Sequence, residues 1–222
     1  MNPTTANPVV EREADIPAGE RRVRGTLSLP AEASAVVAFA HGSGSGRFSP
    51  RNQFVARKLQ EARLGTLLID LLEDDEADDR SLVFDISLLA DRLQCAAHWL
   101  QAQRETREMR LGYFGASTGA GAALLAAARS PGSVGAVVSR GGRPDLAREF
   151  LAHVAAPTLL IVGGDDEIVL DLNREAHELL RCPRQLDVVP GATHLFSEPG
   201  ALEEVARLAE EWFLRYLVPT RE

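Results

Sequence analysis

An α/β fold built on a parallel sheet is predicted by three observations. Short unbroken apolar runs alternate with amphipathic segments of helical period, and a Gly-x-Ser-x-Gly sequence stands where one run gives way to a helix. The runs cover residues 35–40, 66–69, 111–114, 134–139 and 158–162. Strands buried on both faces of a parallel sheet read in this way. Ahead of them Val23, Gly25, Leu27 and Leu29 alternate with polar residues, as in a strand wetted on one face, and residues 9–14 are the strand it pairs with. Residues 185–189 read as the final strand.

Helical patterns fill the intervals. Residues 50–62 carry Phe54, Val55 and Leu59 at helical spacing. Residues 79–107 read as one long amphipathic helix, with Leu82, Ile86, Leu89, Leu93, Ala97 and Leu100 near one face. An alanine-rich helix follows the Gly-x-Ser-x-Gly sequence at 120–129, and 171–180 and 201–216 supply two more. No internal repeat or linker divides the chain, so residues 1–222 are expected to form one domain, with 1–7 a flexible N-terminal extension. The acidic run 73–79 has neither calcium-loop spacing nor a central glycine, and is expected to be a solvated loop entering the long helix.

Composition narrows the function classes. The 222 residues are 45% hydrophobic and 25% charged, ordinary for a soluble globular protein. A net charge of −8 argues against a nucleic-acid partner, and no run of 18 apolar residues would span a membrane. The first 17 residues lack the basic start and apolar stretch of a secretory signal. Cys95 and Cys182 lie far apart, read as reduced thiols, and fit a cytoplasmic setting. Lys58 is the only lysine, which argues against a Schiff-base cofactor; no metal or other cofactor is expected. Heavy Ala and Arg usage suggests a GC-rich bacterial genome. Oligomeric state is not legible.

The chemistry is carried by Gly115-Ala116-Ser117-Thr118-Gly119. At a strand-to-helix junction this pattern is a nucleophile elbow, with Ser117 on a tight turn and glycines where strand and helix approach closely. A serine hydroxyl needs a base and an orienting acid, expected in the order serine, acid, histidine. Asp166, in Gly163-x-x-Asp166-x-x-Val169, is the favoured acid, with Asp165 as the alternative. His194, after the Pro190-Gly191 turn, is the base; His98, His153 and His177 sit in helical patterns and fit packing or surface roles. Both candidates lie at the C-terminal edge of the sheet, where ligands bind in open parallel sheets. The oxyanion hole is assigned to the N–H groups of Thr118 and of Ser43, in the loop His41-Gly42-Ser43-Gly44-Ser45-Gly46, with His41 bracing that loop. Of Arg140 and Arg143, just past a strand end, one is placed to bind a substrate carboxylate or phosphate, or else they pair with Asp145 or another surface acid. Arg140, Gly44 and Leu195 are the candidate substrate contacts.

On these four motifs, taken in order, the chain resembles the α/β-hydrolase superfamily, and within it the small lid-less branch related to dienelactone hydrolases, over about residues 8–217. The resemblance implies an eight-stranded, mostly parallel α/β-hydrolase sheet whose second strand is antiparallel, with helices on both faces, no large cap and no cofactor. Dienelactone hydrolases proper use a cysteine nucleophile; Ser117 in its place favours general ester chemistry. The expected activity is hydrolysis of small-molecule carboxylic esters through a Ser117–His194–Asp166 triad and an acyl-enzyme. Thioester or lactone cleavage and acyl transfer use the same residues, and a catalytically silent binding protein would keep only the fold. Residues 139–156 leave room for little more than a loop and a short helix, so an open or shallow site is expected.

Overall fold

The computed structural model describes residues 8–218, so the extension expected over 1–7 lies outside the described residues. Strands β1 (Val9–Ala18) and β2 (Arg21–Pro30) form an antiparallel hairpin. Its two-residue turn uses Gly19 at φ 68°, a conformation that suits glycine. There follow β3 (Ala35–Ala40), α1 (Pro50–Glu61), β4 (Gly65–Ile69), α2 (Arg80–Val83), α3 (Ile86–Ala102), β5 (Arg110–Ala116) and α4 (Thr118–Arg129). Strand β6 (Ala136–Arg140) then leads through a 3-10 segment, Pro144–His153, to β7 (Thr158–Gly163), α5 (Glu167–Leu179), β8 (Arg184–Val189) and α6 (Ala201–Leu217).

The eight strands form one sheet in the order β1-β2-β4-β3-β5-β6-β7-β8. β2 runs antiparallel to β1 and β4, and the pairs from β4 to β8 are parallel, as the resemblance implied. Alternation along the strands sorts side chains to two cores. Val36, Ala38, Tyr113 and Val137 pack with α3 and α4 on one face. Val37, Phe39, Phe114 and Val138 pack with α1 and α6 on the other. Phe39 and Phe114 meet there with ring centroids 4.8 Å apart, and each such fully buried side chain contributes about 2 kcal/mol. Between β6 and β7 only the 3-10 segment intervenes, and no large cap is inserted there among the described residues. No helix among the described residues is long and apolar enough to cross a membrane.

Three expectations are corrected. The helix expected over 79–107 is two helices, because two aspartates each start one. Asp79 accepts from the Ser81 N–H at 2.8 Å and Asp85 from the Leu88 N–H at 2.9 Å, and each N-cap satisfies a donor that would otherwise be orphaned. At the far end Thr106 donates its hydroxyl to the Leu100 carbonyl at 2.6 Å, and the chain turns instead of continuing. Helix α5 begins at Glu167, four residues before the expected start, with Asp166 as its N-cap. The acidic run is not simply solvated. Glu76 is buried and receives both terminal nitrogens of Arg92, at 2.6 and 2.7 Å. This partner, foremost, holds the Glu76 carboxyl down at about 2. Arg21 joins Glu73 and Asp75 at 2.6 and 3.0 Å.

Candidate active site

Ser117 closes β5 and opens α4. Its backbone sits at φ 50°, ψ −121°, a region that costs a non-glycine residue about 1–3 kcal/mol. The turn is held from two sides: the Ser117 N–H donates to the Arg140 carbonyl at 3.2 Å, and the Ser117 carbonyl accepts from the Arg143 N–H at 3.0 Å. The motif glycines are where they must be. A Cβ on Gly115 would lie 2.4 Å from the Ala120 Cα, and one on Gly119 would lie 2.2 Å from the Ala40 carbonyl oxygen. Gly42 admits the elbow in the same way, since a Cβ there would stand 2.9 Å from the Ser117 Cβ. Although Ser117 occupies the N-cap position of α4, its side chain caps nothing, so the hydroxyl is not engaged by the helix.

Asp166 and His194 come from loops that are packed together. The Gly164 N–H donates to the Val189 carbonyl at 2.8 Å and the Asp165 N–H to the Ala192 carbonyl at 3.0 Å. Gly163 permits this approach, because its Cβ would fall 2.3 Å from the Ala192 oxygen. His194 Nδ1 then lies 2.6 Å from Asp166 Oδ2. Asp166 is the N-cap residue of α5 yet makes no side-chain cap bond, forgoing roughly 1 kcal/mol of helix stabilisation while its carboxylate engages the imidazole. Asp165 and Glu167 are exposed. Beyond His194 the chain is anchored by Phe196, buried at φ 53° against the second core. Gly141, directly after Arg140, brings the ring beside the end of β6: a Cβ there would be 3.5 Å from His194 Nδ1. The Ser117 hydroxyl and the ring are not joined by a hydrogen bond among those formed by the described residues. Such contacts are often longer in a resting site than in one holding substrate.

The loop after β3 faces the start of α4. The Ser43 N–H donates to Thr118 Oγ1 at 3.1 Å, so the two residues assigned to the oxyanion hole are adjacent. His41 braces this loop from beneath. Its Nε2 accepts from the Leu71 N–H at 2.9 Å, which leaves Nδ1, 2.9 Å from the Gly42 carbonyl, as the protonated donor. Asp70, at the end of β4, fastens the other end by accepting from the Arg47 N–H at 2.7 Å. Burial pushes the His41 pKa down, outweighing the Gly42 carbonyl and Asp70. The unfolded chain therefore takes up a proton near pH 6.5 that the folded protein excludes. This part of the stability is complete above that pH and is lost as pH falls toward the lower folded value. Urea titrations between pH 7.5 and 5 are expected to show a steeper decline for the wild type than for His41→Gln, which can still accept from Leu71. Equal slopes would count against the assignment.

A cavity of about 900 Å³ opens beside the elbow, walled by residues 41–51, Asp70, Leu72, the acidic turn and Thr118. Gly44 lines it at φ 65°. Leu195 is half exposed next to His194. Arg143 forms a bidentate pair with Asp145 at 2.7 and 2.8 Å, so of the two candidate arginines it is the one with a protein partner. Arg140 is buried, and its Nε and Nη1 have no partner. Arg51, on the first turn of α1, and Asp70 were not singled out by sequence. Asp70 directly follows an apolar run at the C-terminal edge, and that position was the available signal. His98 and His153 are exposed and His177 is partly so. The only group of metal-type donors among the described residues is Glu73, Asp75 and Glu76, and arginines already occupy it. Both cysteines are free thiols.

The model of the dienelactone hydrolase family matches residues 71–217. A crystal structure of a dienelactone hydrolase from Anabaena variabilis is 54% identical, with a TM-score of 0.92, over 94% of this chain and 99% of that one. Est1E from Butyrivibrio proteoclasticus shares the fold at 15% identity and a TM-score of 0.79, over 91% of this chain and 98% of that one. A Mycobacterium tuberculosis protein, provisionally named as a phosphoribosyl transferase, is 54% identical over 210 residues. Those residues are 95% of this chain and 47% of that protein, so the chain spans about half the length of the curated relatives it matches.

Proposed function

This chain belongs to the dienelactone hydrolase family, and from that premise we propose that it is a serine hydrolase that cleaves carboxylic esters through Ser117, His194 and Asp166. The observation that carries the reading is the 2.6 Å contact of His194 Nδ1 with Asp166 Oδ2 beside a serine held at φ 50°. With Nδ1–H donated to the carboxylate, Nε2 is left with its lone pair free to accept a proton.

In this mechanism His194 Nε2 takes the Ser117 hydroxyl proton as Oγ bonds to the ester carbonyl carbon. The electron pair of the carbonyl bond moves to oxygen, and the N–H groups of Ser43 and Thr118 donate to that oxyanion. For the Ser43 N–H this means exchanging Thr118 Oγ1 for the substrate oxygen. The tetrahedral centre collapses, the carbon–alkoxide bond breaks, and the imidazolium gives its proton to the leaving alcohol. Water, deprotonated by the same ring, then releases the acid from Ser117. Asp166 fixes the tautomer and stabilises the imidazolium without itself becoming protonated.

Phosphoribosyl transfer, the activity in the mycobacterial relative's name, is not adopted for this chain. The match spans less than half of that protein, and the name was given to the whole of it. The test is a fluorophosphonate probe followed by a panel of esters, thioesters and lactones of graded chain length. Labelling at Ser117 with fastest turnover of esters is expected. Absence of labelling by a folded protein would refute the serine-nucleophile reading, and faster thioester or lactone turnover would replace the substrate class.

A further inference from the structure

Asn173 is a polar residue with no exposed surface. It stands on the face of α5 that also buries Val169, Leu170 and Ala176. Both hydrogens of its amide are engaged: Nδ2 lies 2.9 Å from the Gly142 carbonyl and 2.8 Å from the Val169 carbonyl. Its Oδ1 is enclosed without a partner. The two carbonyls settle the orientation, because the reversed amide would set oxygen against oxygen at both. A buried acceptor left without a donor destabilises a fold. An apolar side chain would fill the same place without that cost, so packing alone does not account for an asparagine here.

The bond to Gly142 reaches the nucleophile in two steps. The Gly142 carbonyl and the Arg143 N–H belong to one peptide group, and that N–H donates to the Ser117 carbonyl at 3.0 Å. Asn173 grips one end of a peptide whose other end grips the elbow, and polarising the carbonyl strengthens the N–H as a donor. Among the described residues it makes the one side-chain hydrogen bond to the backbone of residues 140–143. The turn has little room to adjust. A Cβ on Gly142 would lie 2.0 Å from Ser139 Oγ and 2.6 Å from the Ala120 Cβ on α4. One residue back, the Gly141 N–H donates to the Ile161 carbonyl at 2.8 Å.

The same helix carries the acid. Asp166 is the N-cap residue of α5, its carbonyl accepts from the Leu170 N–H at 2.8 Å, and its carboxylate meets His194. Asn173 follows two turns further on. We infer that Asn173 is a positioning residue: through the Gly142–Arg143 peptide it registers the elbow serine against the helix that begins at Asp166, and so against the imidazole. It touches no reacting atom. The kinetic consequences of this role rest on the ester-hydrolase reading, and the structural ones do not.

Asn173→Leu is the test, because leucine is similar in size and has neither the donors nor the stranded oxygen. The variant is expected to melt close to the wild type, since losing an unpaired buried acceptor offsets losing the bonds. For a short p-nitrophenyl ester, kcat is expected to fall by about tenfold to a hundredfold with KM within about threefold, as a small misplacement of reacting groups does. The acid limb of kcat/KM against pH should not move, because His194 keeps Asp166. A displaced limb would put the effect on that pair and overturn the route through Gly142. In a folded variant, kcat within about threefold of wild type, or a loss confined to KM, overturns the assignment. If Asn173→Leu does not fold, Asn173→Ala is read in the same way, and failure of both to fold assigns the residue to the core alone and overturns a positioning role.

The second arm needs no turnover. Exchange of the Arg143 amide hydrogen, followed by NMR, is expected to quicken by about tenfold or more in the variant while the amides of β5 keep their rates. Unchanged exchange at Arg143 overturns the tie. Failure of the ester reading looks different: the wild type itself hydrolyses no ester and Ser117 stays unlabelled, while Arg143 still responds to the substitution.

Discussion

Ser117→Ala is expected to lower kcat for a short p-nitrophenyl ester by a factor on the order of 10⁴–10⁶, with thermal stability unchanged or slightly raised. Two effects separate here. On the proposed mechanism, removing Oγ abolishes the acyl-enzyme route, and what remains over water comes from oxyanion stabilisation and binding alone. The backbone at φ 50° stays strained whether the side chain is serine or alanine. The hydroxyl caps no helix, so no folding interaction is lost with it. The measurement is burst kinetics on purified protein beside a thermal melt. Turnover within about tenfold of wild type in a folded variant would exclude Ser117 as nucleophile.

Gly119→Ala is expected to destabilise the fold by roughly 3 kcal/mol or more and to reduce turnover as well. Helix propensity alone gives the opposite sign, since alanine in place of a helical glycine gains about 1 kcal/mol. The collision decides. The new Cβ would lie 2.2 Å from the Ala40 oxygen and 2.4 Å from the His41 oxygen, both backbone atoms that no rotamer change can move. Either α4 shifts away from the sheet or the loop after β3 is displaced, and that loop holds the Ser43 N–H. Gly132→Ala is the control: Gly132 has φ 85° with nothing within 4 Å, so it should cost about 1 kcal/mol from backbone conformation alone. Urea unfolding of the two variants, compared with wild type, distinguishes the causes. A stabilised Gly119→Ala would contradict the close approach of α4 to the β3 loop.

The fold was legible because buried parallel strands leave a plain trace. The apolar runs at 35–40, 66–69 and 158–162 correspond to β3, β4 and β7 within a residue. Asp166 and His194, which the structure brings within 2.6 Å, could be singled out as candidates because chain order and the C-terminal edge of the sheet leave few others. What failed has local causes. Asp85 looks like any polar residue on a helix surface, and only its bond to the Leu88 N–H shows that it starts a new helix. The acidic run reads as solvent-facing until Arg92, sixteen residues on, is seen against Glu76. Arg140 and Arg143 are three residues apart and indistinguishable by type. What separates them is that one faces a buried core and the other has Asp145 within reach. Arg51 lies on a helix with no motif of its own.

The loops bearing Asp166 and His194 are tied by two backbone hydrogen bonds and a glycine contact, whereas Ser117 is fixed to β5, α4 and the Arg140 carbonyl. Carboxylate and imidazole are therefore held by one pair of loops and the hydroxyl by the elbow. The separation of hydroxyl and ring is thus the one distance in the group that no hydrogen bond among the described residues fixes directly, while His194 stays 2.6 Å from Asp166. Ligands that bridge the two pieces should quiet that one coordinate and leave the rest of the molecule as it was.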